Sequence, residues 1–168
     1  MTDITQVILD EHDWFRRRFA DLDSVTDPED LDVLWKLLAG RLEIHASAEE
    51  DVFYPVLLRK GDDAEAETED AIGDHDEIRD AVSDTVGKAP GSPEWWAAVR
   101  KADEANSDHM AEEERGPLAD FRRNVAPDRR EDLGRRLSVH MARHITINAD
   151  LEARGPSPEE YLDEHASS

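Results

Sequence analysis

The sequence predicts an all-α protein: an antiparallel four-helix bundle with an additional C-terminal helix. Three observations carry that prediction. Apolar residues recur three and four places apart along five segments, the pattern of helices that turn one face to a core. The joints hold helix-starting and helix-ending residues, with Asp27-Pro28, Ser92-Pro93 and Ala126-Pro127 at starts and Lys60-Gly61 and Gly155-Pro156 at ends. The layout is also doubled. His12 precedes His45 by 33 residues and His75 precedes His109 by 34, and a glutamate follows each second histidine by four. One helical hairpin used twice makes an antiparallel bundle of four.

Taken in order, the first helix is expected from about Asp3 to Val25, with the stripe Ile4, Ile8, His12, Phe15, Phe19, Leu22. Asp27 then caps a second helix, with Pro28 in its first turn and the acids Glu29 and Asp30 favoured by the helix dipole. Its stripe is Leu31, Leu34, Leu38, Leu42, His45, Glu49, Val52, Val56. Pro55 has no N–H to donate, so a bend is expected there. A third helix over residues 64–87 carries Thr68, Ala71, His75, Ile78, Val82 and Val86. After the loop Ala89 to Glu94, a fourth carries Trp95, Val99, Ala102, Asn106, His109 and Glu113 and is interrupted at Arg115-Gly116-Pro117, much as the second is at Pro55.

Residues 1–125 are thus expected to form the bundle. Residues 126–168 are expected to form a fifth helix, to about Arg154, and a short tail on the same domain. His140 and His144 alternate with Leu133, Leu137 and Ile147 and are read as packing that helix over the bundle, with a further metal site, or a place just outside one, as the alternative. Trp14, Trp35, Trp95 and Trp96 are read as bundle packing. His165, in the tail, carries no assignment.

Composition excludes several function classes. Acidic residues outnumber basic ones by 42 to 20, a net charge of −22, which repels phosphate backbones and anionic headgroups, so neither nucleic acid nor a membrane is an expected partner. Cysteine is absent, which removes disulfides, thiolate-held clusters and thiol nucleophiles. Any metal must use N and O ligands. The N-terminus lacks the basic start and apolar run of a signal peptide, and no stretch has the length of a membrane span, so the expected location is the cytoplasm. The oligomeric state stays open.

The chemistry lies where polar residues break the stripes. His45 and Glu49, four apart in R-L-E-I-H-A-S-A-E-E-D-V-F-Y-P, share a helix face that is otherwise apolar. A polar group facing a core costs several kcal/mol unless something satisfies it. One such histidine alone is commonly a hydrogen-bonded core residue. Four helices repeating the intrusion at matched spacing point instead to a shared metal site of His12, His45, Glu49, His75, His109 and Glu113. Four imidazoles and two carboxylates without thiolate suit iron, with zinc and manganese as competitors. If both glutamates bridge two metals, the set leaves coordination positions for small ligands. Tyr54, next to Pro55, is a possible further ligand or an outer neighbour of the metals. A regular helix places it about half a turn from His45, which favours packing or the second role over a ligand.

The ordered pattern His12, His45-A-S-A-Glu49, His75, His109-M-A-E-Glu113 resembles the hemerythrin-like, or HHE, family of non-haem diiron proteins over roughly residues 4 to 125. The resemblance implies two iron ions bridged by an oxo or hydroxo group, the four histidines as terminal ligands and Glu49 and Glu113 as bridges. It also implies reaction with O2, H2O2 or NO. Two departures from the oxygen carriers stand out. Position 79, four after His75, is arginine rather than histidine, and the last carboxylate lies four rather than five places after His109, flanked by Glu112 and Glu114. A missing histidine opens an exchangeable site and tilts the expectation toward a peroxidase- or catalase-like protein acting on peroxide and nitric oxide. The alternative is a reversible O2 or NO carrier or sensor.

Overall fold

The computed structural model describes residues 2–62 and 64–145. Among them every regular element is helical: α1 (Ile4–Leu22), α2 (Pro28–Ala48), a π-helical turn (Glu49–Phe53), α3 (Tyr54–Lys60), α4 (Ala64–Ser83), α5 (Pro93–Arg115), α6 (Pro117–Asn124) and α7 (Pro127–Ile145). The four rods of the bundle are α1, α2 continued through the π turn into α3, α4, and α5 continued into α6. α7 is the additional helix and packs against α1, α2 and the π turn. The stretch expected at 146–154, the Gly155-Pro156 stop and the short turn at 157–160 lie outside the described residues, as do Ile147 and His165.

Side chains cap the helix starts, at Asp27 and Ser92 as the sequence predicts and also at Asp3. The Asp3 carboxylate accepts from Thr5 N at 3.0 Å, Asp27 accepts from Glu29 N at 2.8 Å, and Ser92 Oγ accepts from Trp95 N at 3.2 Å. Each removes an orphan donor from a first turn. α1 stops at Leu22, three residues before its expected end. α4 stops at Ser83, because Thr85 folds its N–H and hydroxyl back onto Val82 O and Gly87 adopts φ of 78°. Val86, expected in the stripe, is therefore exposed.

The bend expected at Pro55 is a wider feature than a kink. Pro55 cannot donate, and its ring crowds the carbonyl four residues back, so the preceding turn opens and Tyr54 N reaches Glu49 O, five residues back. The five-residue π turn rotates everything after it relative to α2. At the parallel position the chain behaves differently: Gly116 ends α5 and starts α6 before Pro117.

Two apolar clusters fill the interior. One gathers Ile4, Ile8, Phe53, Leu57, Leu118 and Phe121 with Leu133, Leu137 and Met141 of α7. The other gathers Phe15, Phe19, Leu38, Ile78, Trp95 and Val99. Each bundle rod crosses from one cluster to the other, and the crossing falls at a polar layer: His12 between Ile8 and Phe15, His45 and Glu49 between Leu42 and Val52, His75 between Ala71 and Ile78, His109 and Glu113 before Leu118. The helical period that builds the two cores sets the height of this layer.

Candidate metal centre

All six groups are buried, none more than 4% exposed. His45 Nε2 lies 3.2 Å from Glu49 Oε1, and His75 Nε2 and His109 Nε2 lie 3.3 and 3.9 Å from Glu49 Oε2. His12 Nε2 lies 3.3 Å from Glu113 Oε2. Two groups of potential ligand atoms, each within 4.8 Å of one another, result: His12, His45, Glu49 and Glu49, His75, His109. Glu49 belongs to both, one oxygen toward each.

Three of the histidines are oriented from behind by a carboxylate. His12 Nδ1 donates to Glu114 Oε1 at 2.9 Å, His75 Nδ1 donates to Glu50 Oε1 at 2.9 Å, and His109 Nδ1 donates to Asp74 Oδ2 at 3.3 Å. Two of these carboxylates are held in turn by an arginine: Arg16 Nη2 donates to Glu114 Oε1 at 2.6 Å, and Arg79 Nη1 donates to Glu50 Oε1 at 3.0 Å. Burial pushes the carboxyls of Glu50 and Glu114 up, but their arginines and histidines outweigh it, and both stay below the usual glutamate range. Ionised acceptors fix the proton on Nδ1 and leave the Nε2 lone pair facing inward, the tautomer a metal requires.

That arrangement tests whether a cation fits. His75 Nε2 and His109 Nε2 face one another at 3.3 Å, so two lone pairs oppose each other unless something positive lies between or beside them. Buried and without hydrogen-bond partners are His12 Nε2, His45 Nε2, both Glu49 oxygens and Glu113 Oε2. Each unsatisfied polar atom costs on the order of 1–3 kcal/mol, more when charged, and buried carboxylates are tolerated only when compensated. Divalent cations held by the two groups would satisfy these atoms, so the residues fit a metal. Without a cation, protons are pulled in. Burial disfavours charge on His109, but Asp74, Glu49 and Glu113 override it and raise its pKa to about 10, whereas burial dominates at His45 and lowers it to about 3.

Tyr54 faces the polar layer, although a regular helix would turn it about half a turn from His45. The π turn swings it around, and its buried hydroxyl donates to Glu113 Oε1 at 3.2 Å, its ring centroid 5.8 Å from that of His75. Burial and the neighbouring carboxylates hold its pKa well above the usual tyrosine value. Of the three adjacent acids, Glu113 faces inward, Glu114 turns to His12 and Glu112 is exposed. Arg79 points away from the layer, with Glu43 at 2.8 Å and Glu50 at 3.0 Å. His140 and His144 stack on each other at 4.4 Å, and His140 meets Ser47 Oγ at 3.2 Å and Asp51 at 3.3 Å. The residues that sequence reasoning missed are Glu50, Glu114, Asp74 and Arg16. A signal was present in the repeat: arginine follows each first histidine by four, at 16 and 79, and a second glutamate follows each inward one, at 50 and 114.

Fold and site together define a helical-bundle protein whose buried His/Glu cluster is compatible with metal binding. The chain belongs to the hemerythrin HHE cation-binding domain family, whose family model matches residues 3–119. A DNA nickase of Nostoc sp. strain PCC 7120 is 26% identical over 128 residues, 76% of this chain. The chain spans only 36% of that protein's length. A crystal structure of a hemerythrin HHE cation-binding-domain-containing protein from Mycobacterium kansasii superposes with a TM-score of 0.73 at 20% identity, covering 86% of this chain and 88% of that one. That likeness concerns the fold. No helix among the described residues is long and apolar enough to cross a membrane.

Proposed function

We propose that this chain is a non-haem diiron protein that reacts with H2O2, NO or O2, and that its activity is peroxidase- or catalase-like removal of peroxide and nitric oxide. His12, His45, Glu49 Oε1 and Glu113 Oε2 would hold one iron; His75, His109 and Glu49 Oε2 would hold the other. Iron held there supplies Lewis-acid and one-electron redox chemistry toward O–O and N–O bonds. The protein's own groups do the rest. Glu114, Glu50 and Asp74 keep three imidazoles in one tautomer and orientation. Tyr54 Oη keeps its proton and pins Glu113 Oε1. Phe15, fully buried, packs edge-on to His45 at 5.2 Å.

The observation that carries the enzyme reading is position 79. Its guanidinium is committed to Glu43, Glu50 and Asp76, so among the described residues no side chain takes the place of a fifth histidine and the donor set falls short of two octahedral metals. The net charge of −22 argues against nucleic acid and anionic membranes as partners, whatever the Nostoc relative acts on. The test is metal content and a visible spectrum on purified protein, followed by peroxide and then NO. About two irons per chain and sustained peroxide loss are expected. Iron without peroxide loss refutes the enzyme reading, and clean uptake and release of O2 would then assign carriage or sensing.

A further inference from the structure

A cavity of about 260 Å³ opens between α2, α4 and α5 and ends on the edges of His45, His75 and His109. Its size does not suit the small molecules considered so far. A water molecule takes about 30 Å³ in the liquid, and H2O2, O2 and NO are of that order. The walls are apolar, formed by Ala39, Leu42 and Ala46 from α2 and by Ile78 and Val82 from α4. The rim carries no net positive charge, because Arg79, its cation, is paired with both Glu43 at 2.8 Å and Glu50 at 3.0 Å, so it offers an anion no attraction. At the inner end Asn106 is buried, and its amide N–H is spent on the weak acceptor Met110 Sδ at 3.6 Å, so a better acceptor can take it over. The second opening onto the layer, about 160 Å³, is smaller and carries the carboxylates of Asp70, Asp74 and Glu112 on its wall, which suits an apolar molecule less.

We propose that this cavity seats a neutral organic hydroperoxide, ROOH, with its apolar R group along Leu42, Ile78 and Val82 and its oxygens toward the histidine edges and Asn106. The inference deepens the peroxide reading and rests on it: it names the substrate class that the same site takes. The balanced reaction in the catalase-like sense is ROOH + H2O2 → ROH + H2O + O2. The O–O bond of ROOH breaks, H2O2 is oxidised to O2, and the two protons it releases complete ROH and H2O.

The experiment separates seating from turnover by using a redox-inert probe. 2-Phenylpropan-2-ol, the alcohol of cumene hydroperoxide, is titrated calorimetrically into the full chain with its metal and again after chelation. The same titrations are run on Ala39→Phe and Val82→Phe, which fill the cavity from opposite walls and whose folding is checked by circular dichroism. For a ligand of about ten non-hydrogen atoms, saturable binding at one per chain with a Kd on the order of 1 mM or tighter is expected. Whichever variant folds should bind about tenfold more weakly. Absence of saturation, or wild-type binding by the folded variants, overturns the proposal. Loss of H2O2 without alcohol binding refutes the cavity assignment and spares the peroxide reading. Alcohol binding that the variants lose, with neither H2O2 nor cumene hydroperoxide consumed, refutes the peroxide reading and the hydroperoxide assignment with it.

Discussion

Replacing Glu114 by glutamine tests the claim that the carboxylates behind the histidines tune the centre. The substitution keeps shape and an acceptor oxygen but removes the charge that holds the proton on His12 Nδ1, 2.9 Å away. Outer partners of metal-bound histidines are generally worth 10–100-fold in metal affinity, about 1.4–2.7 kcal/mol. Glu114 is 29% exposed, so water screens part of its charge and the lower end applies, about tenfold. Glu50→Gln, with the same 2.9 Å bond to His75 and 30% exposure, should lose about as much. If the two histidines hold different metals, as proposed, the double variant should lose about tenfold at each site, about a hundredfold in the overall constant for two irons. Asp74→Asn should lose less, since its bond to His109 is 3.3 Å. The assay is anaerobic titration of metal-stripped protein with Fe(II) against a chromophoric chelator, with circular dichroism to confirm folding. If folded Glu114→Gln and Glu50→Gln both bind iron within about twofold of the parent, the carboxylates do not position the ligands and the reasoning fails.

Three further outcomes are expected. Tyr54→Phe removes the buried hydroxyl that donates to Glu113 Oε1 at 3.2 Å and should cost about 1–2 kcal/mol in urea unfolding while retaining iron; an intense visible band that vanishes in the variant would instead make the phenol a ligand. Gly134→Ala should destabilise by about 1–3 kcal/mol, although alanine is the better helix former, because its Cβ would run into Thr2 O and stand 2.9 Å from Ile4 N; a higher melting temperature would contradict so close an approach of α7. Asp3 caps α1 and pairs with Arg130 at 2.6 Å. Burial pushes its pKa up, but Arg130 and Thr5 bring it below 3.8, so its stabilisation is full above that value and lost as pH falls through the lower folded one. Asp3→Ala should therefore cost about 1 kcal/mol at neutral pH, and a stability gap from the parent that does not narrow on acidification would refute the assignment.

The caps at Asp27 and Ser92 were legible because a cap is decided within four residues. The heights of His12, His45, His75 and His109 were legible because the helical period and two nearly equal hairpin lengths place them with no knowledge of packing. The end of α4 was misread: Val86 continues the apolar period, yet Thr85 and Gly87 make a turn, and local hydrogen bonding outweighs a stripe that has no core left to cover. The direction in which Tyr54 faces was not legible, because a wheel assumes 3.6 residues per turn and Pro55 opens the turn before it into a π turn.

By itself, then, the sequence determined what depends on short range and on period: five helical rods, a polar layer at one height, and a donor set without sulfur. Tertiary structure alone decided which carboxylate stands behind which imidazole, since Glu114 reaches His12 across 102 positions and Glu50 reaches His75 across 25. It also decided that Arg79 turns outward to Glu43 and Glu50, and that an apolar cavity ends on three histidines. These are relations between helices, fixed by how the rods rotate and pack. No local pattern encodes that rotation.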